Sequence, residues 1–577
     1  VTGGSVYSEL AQCQDCYKCL RACPVKAIRV SSGHAVVMPE RCLACGACVA
    51  ACPSGAKRVR DDLPGIRELL TGRRPVVVSL APSYLSEFEG ADRRRVIAAL
   101  RRLGFAGVSE TALGAQQVSA RLARMLDAET GRTFLSTACP VAVDFVRTYR
   151  PDRIALLTPL ESPLQAHARL LRRSLADAPA VVFVGPCIAK KQEVEASPLL
   201  DGALTFEDVR AWMAEAGVDP AHCQPGPEDT FLLGPAAEGA LYPVEGGMAQ
   251  ATALSMASSH TRFQTLSGLE EIRDGLEDLP DPGRGNLFLE LLACRGGCVH
   301  GPKAVRRSQV RARMRILDQP GPAADLPRTP ELDLARSFQP RVAPEFRFGA
   351  DQVEEVLRSM GKRGPEEELN CAACGYDTCR ELAGAILSGR AETRMCVSNL
   401  RRLAEKKANA LLRTLPFGVV VVDQDLRIIE GNEAFARILG EDALLVRESQ
   451  PDLAGARLDK FVAFGDRFQA VLAGAEEIIR ENLVHAGRTL STSIFPVEPG
   501  RVAAALLLDV TESERRREAI IGKAEQVIQN LLGNAQEIAF SLGRNAARSE
   551  GILNSIIAEF RGPERGGQAS EGSGHGR

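Results

Sequence analysis

The sequence predicts a multidomain protein, part α/β and part α+β, and three observations carry that expectation. A chain of 577 residues holds several domains at roughly 100–200 residues each. From 70 to 345, apolar strand-like runs alternate with helix-length segments, the pattern of parallel sheets covered on both faces. From 416 to 510, short Val/Ile-rich runs follow one another across turns, which suits hairpin strands instead.

Composition narrows the class. Hydrophobic residues make up 45% and charged residues 25%, as in ordinary globular protein. The formal net charge of −2 gives no general attraction to nucleic acid or to an anionic membrane. No apolar run reaches the length of a membrane span, and the first residues lack the basic-then-apolar layout of a signal peptide. A cytoplasmic location is expected. The 17 cysteines would stay reduced there, so metal ligation outranks a disulfide framework. All but Cys223 fall into clusters, and Cys223 reads as a buried small hydrophobe.

In residues 1–60, Cys13, Cys16, Cys19 and Cys23 precede Pro24 with the spacing C-x2-C-x2-C-x3-C-P. Cys42, Cys45, Cys48 and Cys52, before Pro53, repeat it. Zinc sites use pairs of ligand pairs rather than two full quartets ending in proline. The double motif resembles a bacterial two-cluster ferredoxin, in which each fourth cysteine serves the other cluster. The resemblance implies one 4Fe–4S cluster on Cys13, Cys16, Cys19 and Cys52, and a second on Cys42, Cys45, Cys48 and Cys23.

In the body, 70–345, the runs Val76–Leu80, Thr133–Ser136, Ile154–Leu157 and Val181–Val184 read as buried strands, and Arg93–Leu103 as a helix. Cys139 and Cys187 each follow such a run directly and stand beside a proline, where parallel sheets build sites. Further on, Cys294 and Cys298 lie four apart with two glycines between them. That spacing puts both thiols on one side of a helical turn, and the glycines admit a bulky group close to the backbone. Four thiolates suit a 4Fe–4S cubane. These three stretches resemble the cluster motifs of the FeFe (iron-only) hydrogenases. The resemblance implies an H-cluster: a cubane on Cys139, Cys187, Cys294 and Cys298, with Cys298 bridging to a two-iron subsite that carries CO, cyanide and a dithiolate. Lys190 matches the lysine that hydrogen-bonds a cyanide, and Lys191 reads as the exposed one of the pair.

The sequence also departs from that family. Ala138 stands where catalytic members carry a proton-passing cysteine, and Gly185 and Leu292 stand in place of methionines. After the last ligand, Gly301-Pro302-Lys303 replaces a run of glycines. Gln116 and Gln117 stand near an acidic pair of the proton path, and Gln250 stands where a glutamate is usual. Alanine and glutamine cannot relay protons.

In 346–400, Cys371, Cys374, Cys379 and Cys396 form another quartet, with a helix-like Arg380–Thr393 bringing the last back to the first three. Zinc suits C-x2-C with two further cysteines as well. The Cys-Gly-x3-Cys core resembles the small 4Fe–4S domain of Rnf-type electron-transfer subunits. Residues 401–515 resemble a PAS domain, from the Val-rich run before Asp423, through the helix begun near Asn432, to the closing Asp509-Val510-Thr511. Its only histidine, His485, reads as a surface residue. In 516–560, apolar residues recur at helical spacing, which suits a dimer helix pair or a helix packed on the PAS sheet. Residues 561–577, rich in Gly, Ser and charges, read as a disordered tail.

Together these modules resemble the sensory FeFe hydrogenases: an oxidoreductase acting weakly on hydrogen, signalling through iron–sulfur clusters and a PAS domain. Implied partners are hydrogen and protons, ferredoxin or a similar electron carrier, hydrogenase maturation proteins, a signalling protein and a second copy of the chain. The rival readings are a metabolic ferredoxin-linked hydrogenase and an iron–sulfur assembly protein without the two-iron subsite.

Overall fold

The computed structural model describes residues 4–560 apart from 177, 259, 306–307, 319–331, 342, 344–345 and 475–477. The tail expected at 561–577 lies outside these. The chain divides into two compact units, Val1–Leu400 and Arg401–Arg577.

The first unit begins with two short antiparallel pairs, β1 (Val6–Ser8) with β4 (Lys57–Val59) and β2 (Ile28–Ser31) with β3 (His34–Val37). Its two short helices, Lys18–Ala22 and Ala47–Ala51, carry Cys19 and Cys48. The central body follows with β5 (Val76–Leu80), β6 (Gly107–Glu110), β7 (Thr133–Leu135), β8 (Ala180–Gly185), β9 (Gly202–Thr205), β10 (Thr261–Ser267) and β11 (Asn286–Leu292). They form two sheets, ordered β6-β5-β8-β9 and β10-β11-β7, and every pairing within them is parallel. Every residue of β5, β8 and β11 is buried, because helices cover both faces of a parallel sheet. The helices Ala112–Ala128 and Pro163–Ser174 cross tightly: a Cβ on Gly114 would lie 2.1 Å from the Pro163 carbonyl oxygen.

Two expectations fail locally. Ile154–Leu157 is no strand; most of it lies in the 3-10 helix Pro151–Leu156, and Leu157 makes only an isolated bridge to Leu135. Pro151 presets a turn-compatible φ, and a four-residue apolar run has no period of its own to resist it. The helix in the small cysteine domain covers Cys379–Leu387 only, its start fixed by Thr378, whose hydroxyl accepts from the Glu381 N–H at 3.0 Å.

In the second unit β12 (Gly418–Asp423), β13 (Ile428–Gly431), β14 (Ile479–His485), β15 (Arg488–Glu498) and β16 (Val502–Asp509) form one antiparallel sheet ordered β13-β12-β16-β15-β14. Asn432 starts the helix Glu433–Leu439, its side-chain oxygen accepting from the Phe435 N–H at 2.9 Å. A single helix, Thr511–Phe560, closes the unit. Residues 515–559 of it are all exposed, so they do not pack on the sheet. Among the described residues no helix is long and apolar enough to cross a membrane.

Candidate metal centre

Three strand ends deliver four thiols to one place. After β7, Cys139 is the extended residue before the helix Pro140–Tyr149. After β8, Pro186 and Cys187 lead into the helix Ala189–Glu195. After β11 come Cys294 and Cys298. Cys139, Cys187, Cys294 and Cys298 line one cavity of about 110 Å³ together with Lys190 and Ala138, at the carboxyl ends of strands from both sheets. Cys294 and Cys298 do not share the helical turn expected of them; they flank a glycine turn before the short 3-10 helix Cys298–His300. Gly297 has φ +92°, and a Cβ there would lie 2.3 Å from the Pro243 carbonyl oxygen. Only glycine fits.

Burial pushes the Cys187 thiol up to about 11. Cys294 and Cys298 are raised by burial and then by the neighbouring thiols. Thiols gathered in this way become thiolates once cations sit among them, so the four-sulfur donor set fits a metal cluster.

Lys190 is buried, with Nζ 2.6 Å from a Glu193 carboxylate oxygen and 3.4 Å from the Ser162 hydroxyl. Lys191 is not the exposed partner: its side chain is fully buried, and Nζ lies 3.3 Å from Asp62, 3.2 Å from Asp208 and 2.9 Å from the Arg60 carbonyl oxygen. Burial is possible because two carboxylates and a carbonyl satisfy the ammonium. The two lysines therefore differ in direction, one lining the cavity and one tying the body to the segment after the N-terminal module.

Leu292 lines the cavity as well. Gly185 leaves room that the Phe183 ring fills, 2.4 Å from where a Cβ would stand. Gln116 is buried and accepts from the Ala237 N–H at 2.7 Å, and Gln117 is buried beside it. Gln250, which stands where a glutamate is usual in the resembled family, is exposed; its helix, Gly247–Ala253, turns that position outward. The sequence reading missed Glu290. This buried β11 carboxylate accepts from the Met248 N–H and the Thr265 hydroxyl, each at 3.2 Å, and burial lifts it to about 7. A charged residue inside the run Leu287–Leu292 was the available signal.

In the N-terminal module, Cys23 stands within electrostatic reach of Cys42, Cys45 and Cys48, and Cys19 within reach of Cys13 and Cys52. Cys16 is exposed. Cys45 and Cys294 line one cleft, beside which Gly46 packs on Pro302. Cys371, Cys374, Cys379 and Cys396 line a separate cavity of about 20 Å³. The Cys396 carbonyl accepts from the Leu400 N–H at 2.9 Å, so this cysteine opens the helix Val397–Thr414. Cys223 is buried, with Arg102 donating to its sulfur at 3.4 Å. His485 is half-buried, its ring edge-on to Phe464.

Residues 74–302 match the family described as iron only hydrogenase large subunit, C-terminal domain. The central body is FeFe-hydrogenase-like. Beside that hydrogenase-like body, residues 5–53 match the 4Fe-4S dicluster domain, 367–398 an Fe-S cluster family and 412–517 the PAS fold. The chain is similar to the periplasmic [Fe] hydrogenase large subunit of Nitratidesulfovibrio vulgaris, at 23% identity over 36% of this chain and 61% of that one. It thus spans about three fifths of that relative. A variant of the FeFe-hydrogenase HydA1 from Chlamydomonas reinhardtii is 17% identical, covering 45% of this chain and 89% of its own at a TM-score of 0.35. A domain of an HTR-like protein from Haloarcula marismortui is 21% identical, covering 17% and 100% at a TM-score of 0.14.

Proposed function

We propose that this chain binds hydrogen at an H-cluster, turns it over slowly and reports the resulting redox state through its PAS unit. The observation that supports this most is the cavity wall: four convergent thiols with Ala138 beside them. The metal-holding parts are there, while the neighbouring side chain has no proton to give.

On this reading Cys139, Cys187, Cys294 and Cys298 would hold the cubane, and Cys298 and Lys190 would hold the two-iron subsite, Lys190 by a charge-assisted hydrogen bond to a cyanide. When bound, such a cluster supplies the iron chemistry that interconverts hydrogen with two protons and two electrons. The chain's own groups hold it, keep water out with Phe183, Leu292 and Val141, and leave proton delivery poor at Ala138 and Gln116. Cys13, Cys16, Cys19 and Cys52, then Cys42, Cys45, Cys48 and Cys23, hold two further 4Fe–4S clusters. Cys371, Cys374, Cys379 and Cys396 hold a fourth cluster, next to the helix that leads towards the PAS unit.

Electrons are exchanged with ferredoxin or a similar carrier, maturation proteins load the two-iron subsite, and the thiol content supports a reducing, cytoplasmic setting. The helix Thr511–Phe560 pairs with its counterpart in a second copy. Ile521, Ile528, Leu531, Ile538, Leu542, Ile552 and Ile556 recur on a heptad seam, and each is at least 45% accessible.

One observation favours the rival metabolic hydrogenase: Glu290, at about 7, can take and give a proton near neutrality. The deciding experiment measures hydrogen evolution with a strong reductant beside infrared spectra under hydrogen and argon. A missing relay group lowers turnover by about 10²–10⁴-fold while the spectrum still responds to hydrogen. Fast turnover would return the chain to the metabolic enzymes, and an unresponsive spectrum would remove hydrogen as the signal.

A further inference from the structure

Away from the metal centre, three modules of the first unit meet around a cleft of about 500 Å³. That is within the size of small-molecule sites, about 300–1,000 Å³. The N-terminal module contributes Lys26 and Arg41, the central body Tyr149, Arg150 and Arg273, and the small cysteine domain Tyr376 and Arg390. Five cationic side chains thus face two carboxylates, Glu277 and Glu381; Lys26, Arg150 and Arg273 are already paired with Asp377, Asp152 and Asp274, which leaves Arg41 and Arg390 as the pair that matters. Glu381 is already engaged, accepting from the Asp377 N–H at 3.0 Å as part of its helix cap.

Two features point to a ligand rather than to a merely basic surface. Tyr376 is 3% exposed, yet its hydroxyl has no hydrogen-bond partner among the described residues. A buried hydroxyl left that way costs stability unless something from outside satisfies it. Close by, burial and the charge of Arg41 depress Arg390, so two guanidiniums are held near one another, partly out of water. Aromatic rings complete the walls: Phe145 stacks on Tyr149 with centroids 5.8 Å apart, and Phe346 on Phe348 at 6.3 Å.

We propose that this cleft binds a phosphate-bearing ligand, with Arg41, Arg390 and the Tyr376 hydroxyl donating to its phosphate oxygens. Guanidinium forks match phosphate geometry, and the Phe346–Phe348 stack offers a face to a planar base, the Tyr149 ring being already covered by Phe145 and the Arg41 guanidinium. Because the donors come from different modules, the bound anion would fasten the small cysteine domain to the N-terminal module and the body. The site is independent of the hydrogen reading and stands or falls without it.

The test is calorimetric titration of the full chain, with its clusters reconstituted, against ATP, ADP and inorganic pyrophosphate. Saturable binding at one site is expected, and the tighter arm tells whether a nucleotide or a bare phosphate chain is the source. Arg390→Gln and Tyr376→Phe each weaken it by about tenfold or more, as lost hydrogen bonds to a charged group require. Arg358→Gln, outside the cleft, changes nothing. Tyr376→Phe keeps the ring and its packing, so an unchanged iron content certifies that variant as folded. No saturable binding of any of the three, or binding that Arg390→Gln and Tyr376→Phe both leave intact, overturns the proposal.

Discussion

The cavity at Cys139, Cys187, Cys294 and Cys298 has about 110 Å³ of free space, whereas the one at Cys371, Cys374, Cys379 and Cys396 has about 20 Å³. Both present four thiols, so the donor count does not separate them. Their construction does. The larger cavity gathers its thiols from the ends of β7, β8 and β11, strands of two sheets whose helices keep the walls apart. The smaller winds all four from one stretch around the start of a nine-residue helix. A site built from distant strand ends keeps free space beyond its four thiols; one wound from a single stretch closes around them.

The sharpest way to break this comparison is to remove one thiol from each site. Cys187→Ala and Cys298→Ala should each abolish all CO and cyanide infrared bands in maturated protein. Cys379→Ala should keep those bands and lose only about four irons per chain. Bands surviving in Cys187→Ala would mean that the wrong cavity has been given the spare room.

The adjacent lysines come next. Lys191→Ala takes from Asp62 and Asp208 the buried cation they share, leaving Asp62 only Arg60, a loss of at most about 3 kcal/mol that should appear as a lower unfolding midpoint, with infrared bands per folded protein unchanged. Lys190→Ala should do the reverse in kind, lowering band intensity while the cubane iron stays. Equal band losses in the two variants would undo the assignment of Lys190 to the cavity.

A smaller effect distinguishes the sites by pH. His167, on the helix whose first residues Pro163 and Leu164 line the larger cavity, is fully buried between the Ser79 hydroxyl at 2.8 Å and the Ser109 hydroxyl at 3.0 Å. Burial drives it down to about 3, whereas unfolded it titrates near ~6.5. Between those values the unfolded chain binds a proton that the native one refuses. Stability is therefore full above about pH 6.5 and falls by up to about 1.4 kcal/mol per unit as pH drops towards 3. Residues 346–400 contain no histidine. Urea unfolding of the central body at pH 7 and pH 5 should show the loss, and His167→Gln should flatten it; an equal slope in the variant would place the acid sensitivity elsewhere.

Much of this was legible in the sequence because it lies in spacing. The cysteine quartets, the prolines after Cys23 and Cys52 and the valine-rich β5 and β8 are local signals, and the fold follows them. What escaped was set by packing across the body. Nothing in Lys190-Lys191 tells which ammonium faces the cavity, since that depends on Asp62 and Asp208 arriving from other elements. Gln250 aligns with an acidic position by sequence, yet its short helix turns it to solvent. Glu290 was hidden because a strand buried on both faces is expected to be wholly apolar. Ile154–Leu157 has strand composition but stands behind Pro151, which turned it into a helix.

The ring of Phe183 lies 2.4 Å from where a side chain on Gly185 would begin. The two residues share one face of β8, and both belong to the strand whose end delivers Cys187. A side chain at position 185 and the present position of the Phe183 ring therefore exclude each other: enlarging 185 alone would push the ring aside, and shrinking 183 alone would leave a hole in the wall of the cavity. The two positions have to be changed as a pair, so a designer who wants a longer side chain at 185 must trim 183 in the same step.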